Sequence, residues 1–273
     1  MDNLLYIAVL PVVLLLIYIY KKDTHKEPGN VLAKIFFFGA LTVIPAGILE
    51  IILNPFFPTD YYESLGKLFV SVLIGVALIE ELVKWLVIKL IIYKNEHFDE
   101  TFDGIVYAVF SSLGFACIEN ILYVFTMGPG TAVLRAVTAV PLHACTGIVM
   151  GYFIGKAKLC AKNNKSQETT NIILSLLIPT VIHAIYDFLV FTKRMDFIII
   201  WIGFVIAIYI ICFILVKSST KLNISTSDTP VEEKTQTINQ PIEKTKGIYC
   251  TNCGQKIEET NFCPYCGKKN DYL

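Results

Sequence analysis

Two adjacent carboxylates and a lysine, Glu80, Glu81 and Lys84, lie near the middle of the apolar stretch 70–92. A charge at the centre of a bilayer costs on the order of 2.5–3.5 kcal/mol on insertion scales, so such residues are rare and usually functional. On a helix, the lysine is within reach of both glutamates, which precede it by three and four residues. It can neutralise one carboxylate and leave the other free to hold a proton, a water molecule or a metal. The alternative is an internal ion pair that only fixes helix packing.

Other apolar stretches carry further polar residues. Glu119 and Asn120 occur together in one stretch, His143 occurs in the next, and His183 is followed four residues later by Asp187. An aspartate one helical turn from a histidine can orient the imidazole ring and fix its tautomer. Each of these side chains could instead be a buried, hydrogen-bonded group without a chemical role. By residue count, however, five of the ionisable groups lie at similar depths in the membrane, and we expect them to converge: Glu80, Glu81, Glu119, His143 and His183.

The composition is that of a membrane protein. Apolar residues make up 55% of the chain, charged residues make up 17%, and the net charge is zero, so no nucleic-acid partner is expected. Seven apolar stretches are each long enough to cross the ~30 Å hydrocarbon core of a lipid bilayer. They cover residues 4–20, 31–53, 67–93, 104–127, 131–155, 171–191 and 197–216. We therefore predict an all-α polytopic membrane protein with about seven transmembrane helices, forming one domain over residues 1–216.

Small residues recur at four-residue spacing in two of these stretches. One stripe comprises Gly104, Ala108, Ser112 and Ala116, and the other comprises His143, Gly147, Gly151 and Gly155. Because small side chains allow two helix backbones to approach closely in a membrane, these stripes predict two tightly packed helices.

Loop charges predict the orientation of the chain. If the N-terminus lies outside the cell, the cytoplasmic side receives twelve lysines, whereas the outer side receives only Lys67, Arg135, Lys193 and Arg194. Lysine and arginine are enriched in cytoplasmic loops. We therefore expect a multi-pass protein of the cell membrane with its N-terminus outside and its C-terminus in the cytosol. Residues 217–247, which are rich in Ser, Thr, Lys and Glu, predict a flexible polar linker.

The C-terminal segment 248–273 carries two Cys-x-x-Cys-Gly motifs, formed by Cys250, Cys253, Cys263 and Cys266. Four thiolates at this spacing suit tetrahedral Zn²⁺ and leave no open coordination position, so the zinc would be structural. Two local disulfides are the alternative, which a cytosolic location disfavours. The pattern resembles small zinc-ribbon domains, and it does not indicate which partner the ribbon would bind.

Four motifs in the membrane part occur in a specific order. They are Glu80-Glu81-x-x-Lys84, Phe102-Asp103-Gly104 followed by Gly114-Phe115-Ala116-x-x-Glu119-Asn120, then His143, then His183-x-x-x-Asp187. Over roughly residues 1–216, this pattern resembles the PrsW-type intramembrane proteases. It is more distantly similar to the prenyl-protein proteases that share the Glu-Glu motif. The chain departs from those in having Lys84 at the fourth position rather than an arginine one further, and Ala139 where they have phenylalanine.

The resemblance implies hydrolysis of a peptide bond within the membrane. The implied substrate is a membrane-anchored regulatory protein such as an anti-sigma factor. The residues that match the motifs and would carry the chemistry are Glu80, Glu81, Glu119, His143 and His183, with Lys84, Asp103, Asn120 and Asp187 in supporting roles.

Amide hydrolysis needs an activated water, a stabilised oxyanion and a proton for the leaving amine. In one scheme, a metal is held by four residues (Glu81, Glu119, His143 and His183) while Glu80 acts as the base. In the other there is no metal, one glutamate of the pair takes the proton from water, and the histidines stabilise the oxyanion. Both schemes remain open, with Glu80 the preferred base and Glu81 the supporting or ligand group.

Two functions of other classes also remain open. A non-catalytic scaffold or assembly subunit could use the same polar residues to bind a partner helix. A proton-coupled transporter could use them as a relay, but the chain shows no inverted repeat, which disfavours a transporter.

Overall fold

The computed structural model describes residues 2–60, 62–161, 164–227, 248–249 and 256–257. Its membrane part is entirely helical, as predicted. Six helical stretches are long and apolar enough to cross a membrane: Leu5–Lys22, Gly29–Leu53, Thr101–Met127, Pro129–Cys160, Lys165–Phe191 and Met195–Thr220. The remaining predicted stretch, 67–93, is also helical but differs from these six in its backbone and its charge.

The bounds of the helices follow the apolar stretches closely. Helix α1 is Asp2–Lys22, and the second stretch is divided at Thr42 into α2, Gly29–Leu41, and α3, Val43–Leu53. The later long helices are α6, Thr101–Met127; α9, Lys165–Phe191; and α10, Ile198–Ser227, which follows a 3₁₀ turn at Met195–Phe197. Because α10 continues to Ser227, the first part of the predicted linker is helical rather than irregular.

The stretch that carries the two glutamates and the lysine contains two π-helical turns. Helix α4, Leu65–Val72, leads into the π turn Leu73–Ala77, then into α5, Leu78–Val87, and the π turn Ile88–Ile92. Glu80, Glu81 and Lys84 all lie on α5, between the two turns. A π turn widens the helix locally and is frequent at functional sites. The π turns on both sides of α5 therefore indicate that this helix carries functional residues.

The fifth predicted stretch is confirmed as long and apolar enough to cross a membrane, but it is not one continuous helix. The structure divides it at Thr138 into α7, Pro129–Val137, and α8, Ala139–Cys160. Pro141 provides the physical reason, because its ring would clash with the carbonyl group of Val137, four residues earlier, in a continuous helix, whereas proline is tolerated in the first turn of a new one. The break places Arg135 and His143 on separate helices.

Helices α6 and α8 form the centre of the bundle. In the spans that contain them, 72% and 78% of the most apolar window is buried, against 17% in the first two spans and the last. Side chains on those outer helices, such as Ile51 and Ile199, are largely exposed, which suits a surface that faces lipid.

The two predicted small-residue stripes bring α6 and α8 into contact. A Cβ atom added to Gly151 would lie 2.2 Å from the carbonyl oxygen of Gly104, and one added to Gly104 would lie 2.4 Å from that of Gly151. At Gly155 the added atom would lie 2.2 Å from the carbonyl oxygen of Thr101. No side chain fits at these distances, so glycine is required for the close backbone packing that the stripes predict.

Substituting Gly151 by alanine should therefore destabilise the bundle. A single methyl group forces the α6 and α8 backbones apart, and overpacking of this kind typically costs about 1–3 kcal/mol. Gly203 on α10 is the matched control, because nothing lies within 4 Å of a Cβ atom added there. In thermal unfolding of the purified protein, Gly151→Ala should lower the melting temperature and Gly203→Ala should not. Equal melting temperatures would contradict the close packing.

Outside the membrane part, two short strands pair in antiparallel fashion. Strand β1, Ile248–Tyr249, faces β2, Lys256–Ile257, with Ile248 opposite Ile257 and Tyr249 opposite Lys256. The four cysteines of the predicted zinc ribbon lie outside the described residues. The ribbon therefore stays a prediction.

Candidate active site

Lys84 is the fully buried centre of a polar cluster between α5 and α8. Its Nζ atom lies 3.1 Å from Glu80 Oε2, 3.0 Å from Glu81 Oε1 and 3.0 Å from His143 Nδ1. An ammonium group has three N–H donors, so these three contacts use its full capacity. The same group lies 4.1 Å from the centroid of the Phe115 ring, which adds a cation–π contact.

His143 connects this cluster to a second basic residue. Its Nε2 atom lies 2.9 Å from Glu119 Oε2, and the same oxygen lies 2.8 Å from Arg135 Nη2 on α7. Arg135 Nε donates to Asn120 Oδ1 at 3.1 Å, and Asn120 Nδ2 donates to the carbonyl oxygen of Ala8 at 2.8 Å. A chain of contacts thus runs from α1 through α6 and α7 to the histidine.

His183 completes the cluster from α9. Its Nδ1 atom lies 2.9 Å from Glu81 Oε1, and its Nε2 atom lies 3.3 Å from Asp187 Oδ2 and 3.9 Å from Glu80 Oε2. The His143 and His183 rings meet edge to face with their centroids 5.1 Å apart. Asp187 and Glu81 therefore hold the ring between them and determine which way each nitrogen points.

The five side chains proposed from the sequence lie together, but the two adjacent glutamates differ in position. Glu80 lines two clefts, of about 440 Å³ and about 390 Å³, whereas Glu81 is fully buried and is engaged by Lys84 and His183. Neighbouring residues on a helix point about 100° apart, which accounts for the difference. Glu119 lines both clefts as well.

Three of these side chains could hold a metal ion. Glu80, His143 and His183 each offer one ligand atom, all three atoms lie within 4.8 Å of one another, and all three residues are buried. Two imidazole nitrogens and a carboxylate oxygen are a suitable donor set for a catalytic Zn²⁺, which typically has three protein ligands. In addition, the buried Glu81 Oε2 atom has no hydrogen-bond partner in the described part of the chain. The donor types present therefore fit a metal, and binding one would replace contacts that the histidine nitrogens make in this structure.

This grouping differs from the metal-dependent scheme drawn from the sequence. That scheme used Glu81 and Glu119 as ligands and kept Glu80 as the base. In the structure, Lys84 and His183 engage Glu81, while Arg135 and His143 engage Glu119. Glu80 is the carboxylate that is grouped with both histidines.

The two remaining supporting residues have different positions. Asn120 lies behind the site, where it holds Arg135. Asp103 does not join the cluster: it lies in the first turn of α6, and its Oδ2 atom accepts hydrogen bonds from the backbone N–H groups of Asp99 at 3.1 Å and Glu100 at 2.7 Å. The Glu100 side chain in turn accepts a hydrogen bond from the backbone N–H of Asp103, which makes a capping box. Asp103 therefore supports the site only by stabilising the start of α6.

Two residues near the site are not predicted from the sequence. Arg135 reads there only as a loop charge, although its contact with Glu119 places it beside the histidine. Glu50, on α3, lines the larger cleft together with Glu80 and Glu119. The rule that singled out Glu80, a carboxylate within an apolar stretch, applies equally to Glu50 and could have found it. No comparable signal identifies Arg135, because its role depends on the break at Thr138.

Comparison with known proteins decides the family. The sequence profile described as "PrsW family intramembrane metalloprotease" matches residues 27–216. The chain belongs to the PrsW family of intramembrane metalloproteases. The PrsW match includes every residue of the polar cluster, from Glu50 on α3 to Asp187 on α9.

Several curated relatives carry the name "Protease PrsW". The one from Oceanobacillus iheyensis is 41% identical over 189 residues, which are 69% of this chain and 83% of the relative. The one from Bacillus subtilis is 37% identical over 185 residues, 67% of this chain and 80% of the relative. The one from Clostridioides difficile is 35% identical over 212 residues, 76% of this chain and 87% of the relative. No solved structure matches this PrsW chain.

Proposed function

We propose that this PrsW protease hydrolyses a peptide bond of a membrane-anchored regulatory protein of the anti-sigma-factor type. The observation that carries the proposal is the buried cluster of Glu80, His143 and His183, whose groups line a cleft within the helical bundle. Hydrolysis inside a membrane requires a polar, water-accessible pocket, because the surrounding lipid supplies neither water nor charge stabilisation.

Glu80, His143 and His183 are the residues that would hold the metal. When bound, a metal supplies Lewis acidity for activating water and polarising the scissile carbonyl group. Other residues of the chain orient these groups and balance their charge. Asp187 and Glu81 orient His183, and Lys84 offsets the negative charge of both glutamates on α5.

Glu119 is the group placed to move a proton. It faces both clefts, and Arg135 and His143 hold its Oε2 atom, so the carboxylate is oriented toward the place where a substrate would lie. From there it can accept a proton from the attacking water and pass it to the leaving amine, as general acid–base catalysis requires. Under the metal-free scheme, Glu80 would take this role instead.

Co-expression with tagged single-span membrane proteins tests the proposed activity. The wild-type chain should convert at least one of them into two shorter fragments, cut within or next to the membrane span. The Glu80→Gln variant, which keeps the shape of the side chain, serves as the inactive control. If no tested protein is cut, or if Glu80→Gln cuts equally well, the proposal fails. A scaffold would instead bind its partner without cutting it.

We further propose that the N-terminus lies outside the cell and the C-terminus in the cytosol. The excess of lysines in alternate loops supports this orientation. Reporter proteins fused after Asn163 and after Lys221 should both report a cytosolic location. An external signal at either position would overturn the arrangement.

The C-terminal segment is proposed to bind one structural zinc through Cys250, Cys253, Cys263 and Cys266. Replacing Cys250 and Cys253 by serine in the full chain should lower the measured zinc content by about one equivalent. Peptide-bond cleavage should persist, because the segment follows the membrane domain that carries the proposed site. Replacing Cys117 and Cys160, which are buried in the membrane part, is the control and should leave the zinc content unchanged. An unchanged zinc content in the Cys250–Cys253 variant would refute the site.

A further inference from the structure

We propose that Glu50 determines substrate specificity by binding a cationic side chain of the substrate next to the scissile bond. The binding place is the cleft of about 440 Å³ between α3 and the pair α5–α6. This inference rests on the proposed function, since it assigns a recognition residue to the same site.

The cleft connects Glu50 directly to the reacting groups. Helix α3 contributes Ala46 and Glu50 to one wall, and Glu80 and Glu119 lie on the other. Phe115 also lines the space. A peptide segment whose carbonyl group reaches Glu80 therefore has neighbouring residues beside Glu50.

Within the described part of the chain, Glu50 differs from the other carboxylates near the site in having no side-chain hydrogen bond or ion pair. By contrast, Lys84 holds Glu80 and Glu81, Arg135 holds Glu119, and His183 contacts Asp187. A carboxylate within an apolar helix is costly to leave without a partner. A cationic side chain of a substrate bound in the cleft would supply such a partner.

The charge balance of the cleft indicates which partner that is. Glu50 interacts electrostatically with Glu80, Glu119 and Asp187, which share its sign, and with Lys84, which already contacts Glu80 and Glu81. Lys84 and Arg135, the basic residues of the cluster, already contact other carboxylates. Glu50 is also absent from the set of groups that could hold the metal. A lysine or arginine of the substrate would supply the missing positive charge, whereas an acidic side chain would be repelled.

The exposed apolar face of α3 suits a substrate that approaches this cleft from the lipid. The helix begins after a break at Thr42, and Ile48 and Ile51 on it are largely exposed. Nothing lies within 4 Å of a Cβ atom added to Gly47, so α3 is loosely covered on that side. A membrane-anchored chain that binds along α3 in this cleft would therefore lie beside both Glu50 and Glu80.

The test uses single-span reporter proteins that carry one lysine at successive positions near the outer end of the span, each with a glutamine counterpart. Binding is measured on the purified Glu80→Gln chain in lipid nanodiscs, and cleavage is measured with the wild-type chain. At one or two positions, lysine should improve binding over glutamine by about tenfold, as expected for a hydrogen bond to a charged group. Adding Glu50→Gln should reduce that preference to near one.

A charge reversal makes the result specific. The Glu80→Gln chain with Glu50→Lys should prefer a reporter with glutamate at the same position over one with lysine. Glu63→Gln, which changes an exposed loop carboxylate paired with Lys67, is the control and should leave the preference unchanged. Equal binding of lysine and glutamine reporters at all positions, or a preference that survives Glu50→Gln, would overturn the inference. Absence of any cleavage by the wild-type chain, with the binding preference intact, would count against the proposed function instead.

Discussion

The Glu80→Gln variant is expected to lose peptide-bond cleavage by a factor of about 10²–10⁴ while keeping its fold. Glutamine has the same shape as glutamate but lacks the negative charge needed either to accept a proton or to bind a metal tightly. Glu80 is the carboxylate that combines proximity to both histidines with access to both clefts. The measurement is the rate of reporter cleavage by purified protein in lipid nanodiscs, with the melting temperature as a check on folding.

A control variant and a measurement of bound metal test whether the loss of cleavage is specific to Glu80. The control Glu63→Gln should cleave at the wild-type rate, because that carboxylate is exposed and lies outside the cluster. If Glu80 holds a metal, the Glu80→Gln protein should also contain less bound metal than the wild type after the tail cysteines have been replaced in both. A Glu80→Gln protein that cleaves within a few-fold of the wild-type rate would contradict the assignment.

The Lys84→Met variant is expected to be destabilised by about 3–5 kcal/mol, the usual cost of removing one partner from a buried ion pair. Lys84 is fully buried and contacts two carboxylates and His143 Nδ1. Methionine fills much of the same space, so the loss reflects the uncompensated charge of Glu80 and Glu81 rather than a cavity. The measurement is reversible unfolding of the purified protein in detergent by a denaturant.

A double variant separates charge from packing. Adding Glu81→Gln to Lys84→Met removes one of the two carboxylates left without a counter-ion, so it should recover part of the lost stability. The single variant Glu81→Gln should lose less stability than Lys84→Met, because Lys84 still has Glu80 as a partner. If the double variant is as unstable as the sum of the two single variants, the cluster is not held together by charge.

The helical architecture and five side chains of the cluster could be predicted from the sequence, whereas Arg135 and Glu50 were not. Apolar runs of sufficient length have only one stable form in a bilayer, because every backbone polar group must be satisfied within the segment. Ionisable residues inside such runs are expensive, so Glu80, Glu81, Glu119, His143 and His183 stand out against their surroundings. The glycine stripes likewise indicate which helices pack most closely, as Gly104 and Gly151 do.

Some features follow only from the tertiary structure. The break at Thr138 turns Arg135 from a loop charge into the partner of Glu119, and no local pattern shows where a side chain on a short helix will point. The grouping of Glu80, rather than Glu81, with both histidines depends on the rotation of α5 between its two π turns. A rotation of about 100° would exchange the two glutamates.

The sequence by itself therefore determined the class of protein, five of the polar residues of the site and the stretches that carry them. Periodicity and the cost of burying charge act locally along the chain, and both can be read without knowing which helices are neighbours. The tertiary structure decided which carboxylate pairs with which cation, and left Glu50 as the one without a partner in the described part of the chain. Pairing depends on distances between helices distant in sequence, and a few ångströms decide whether two charges compensate each other.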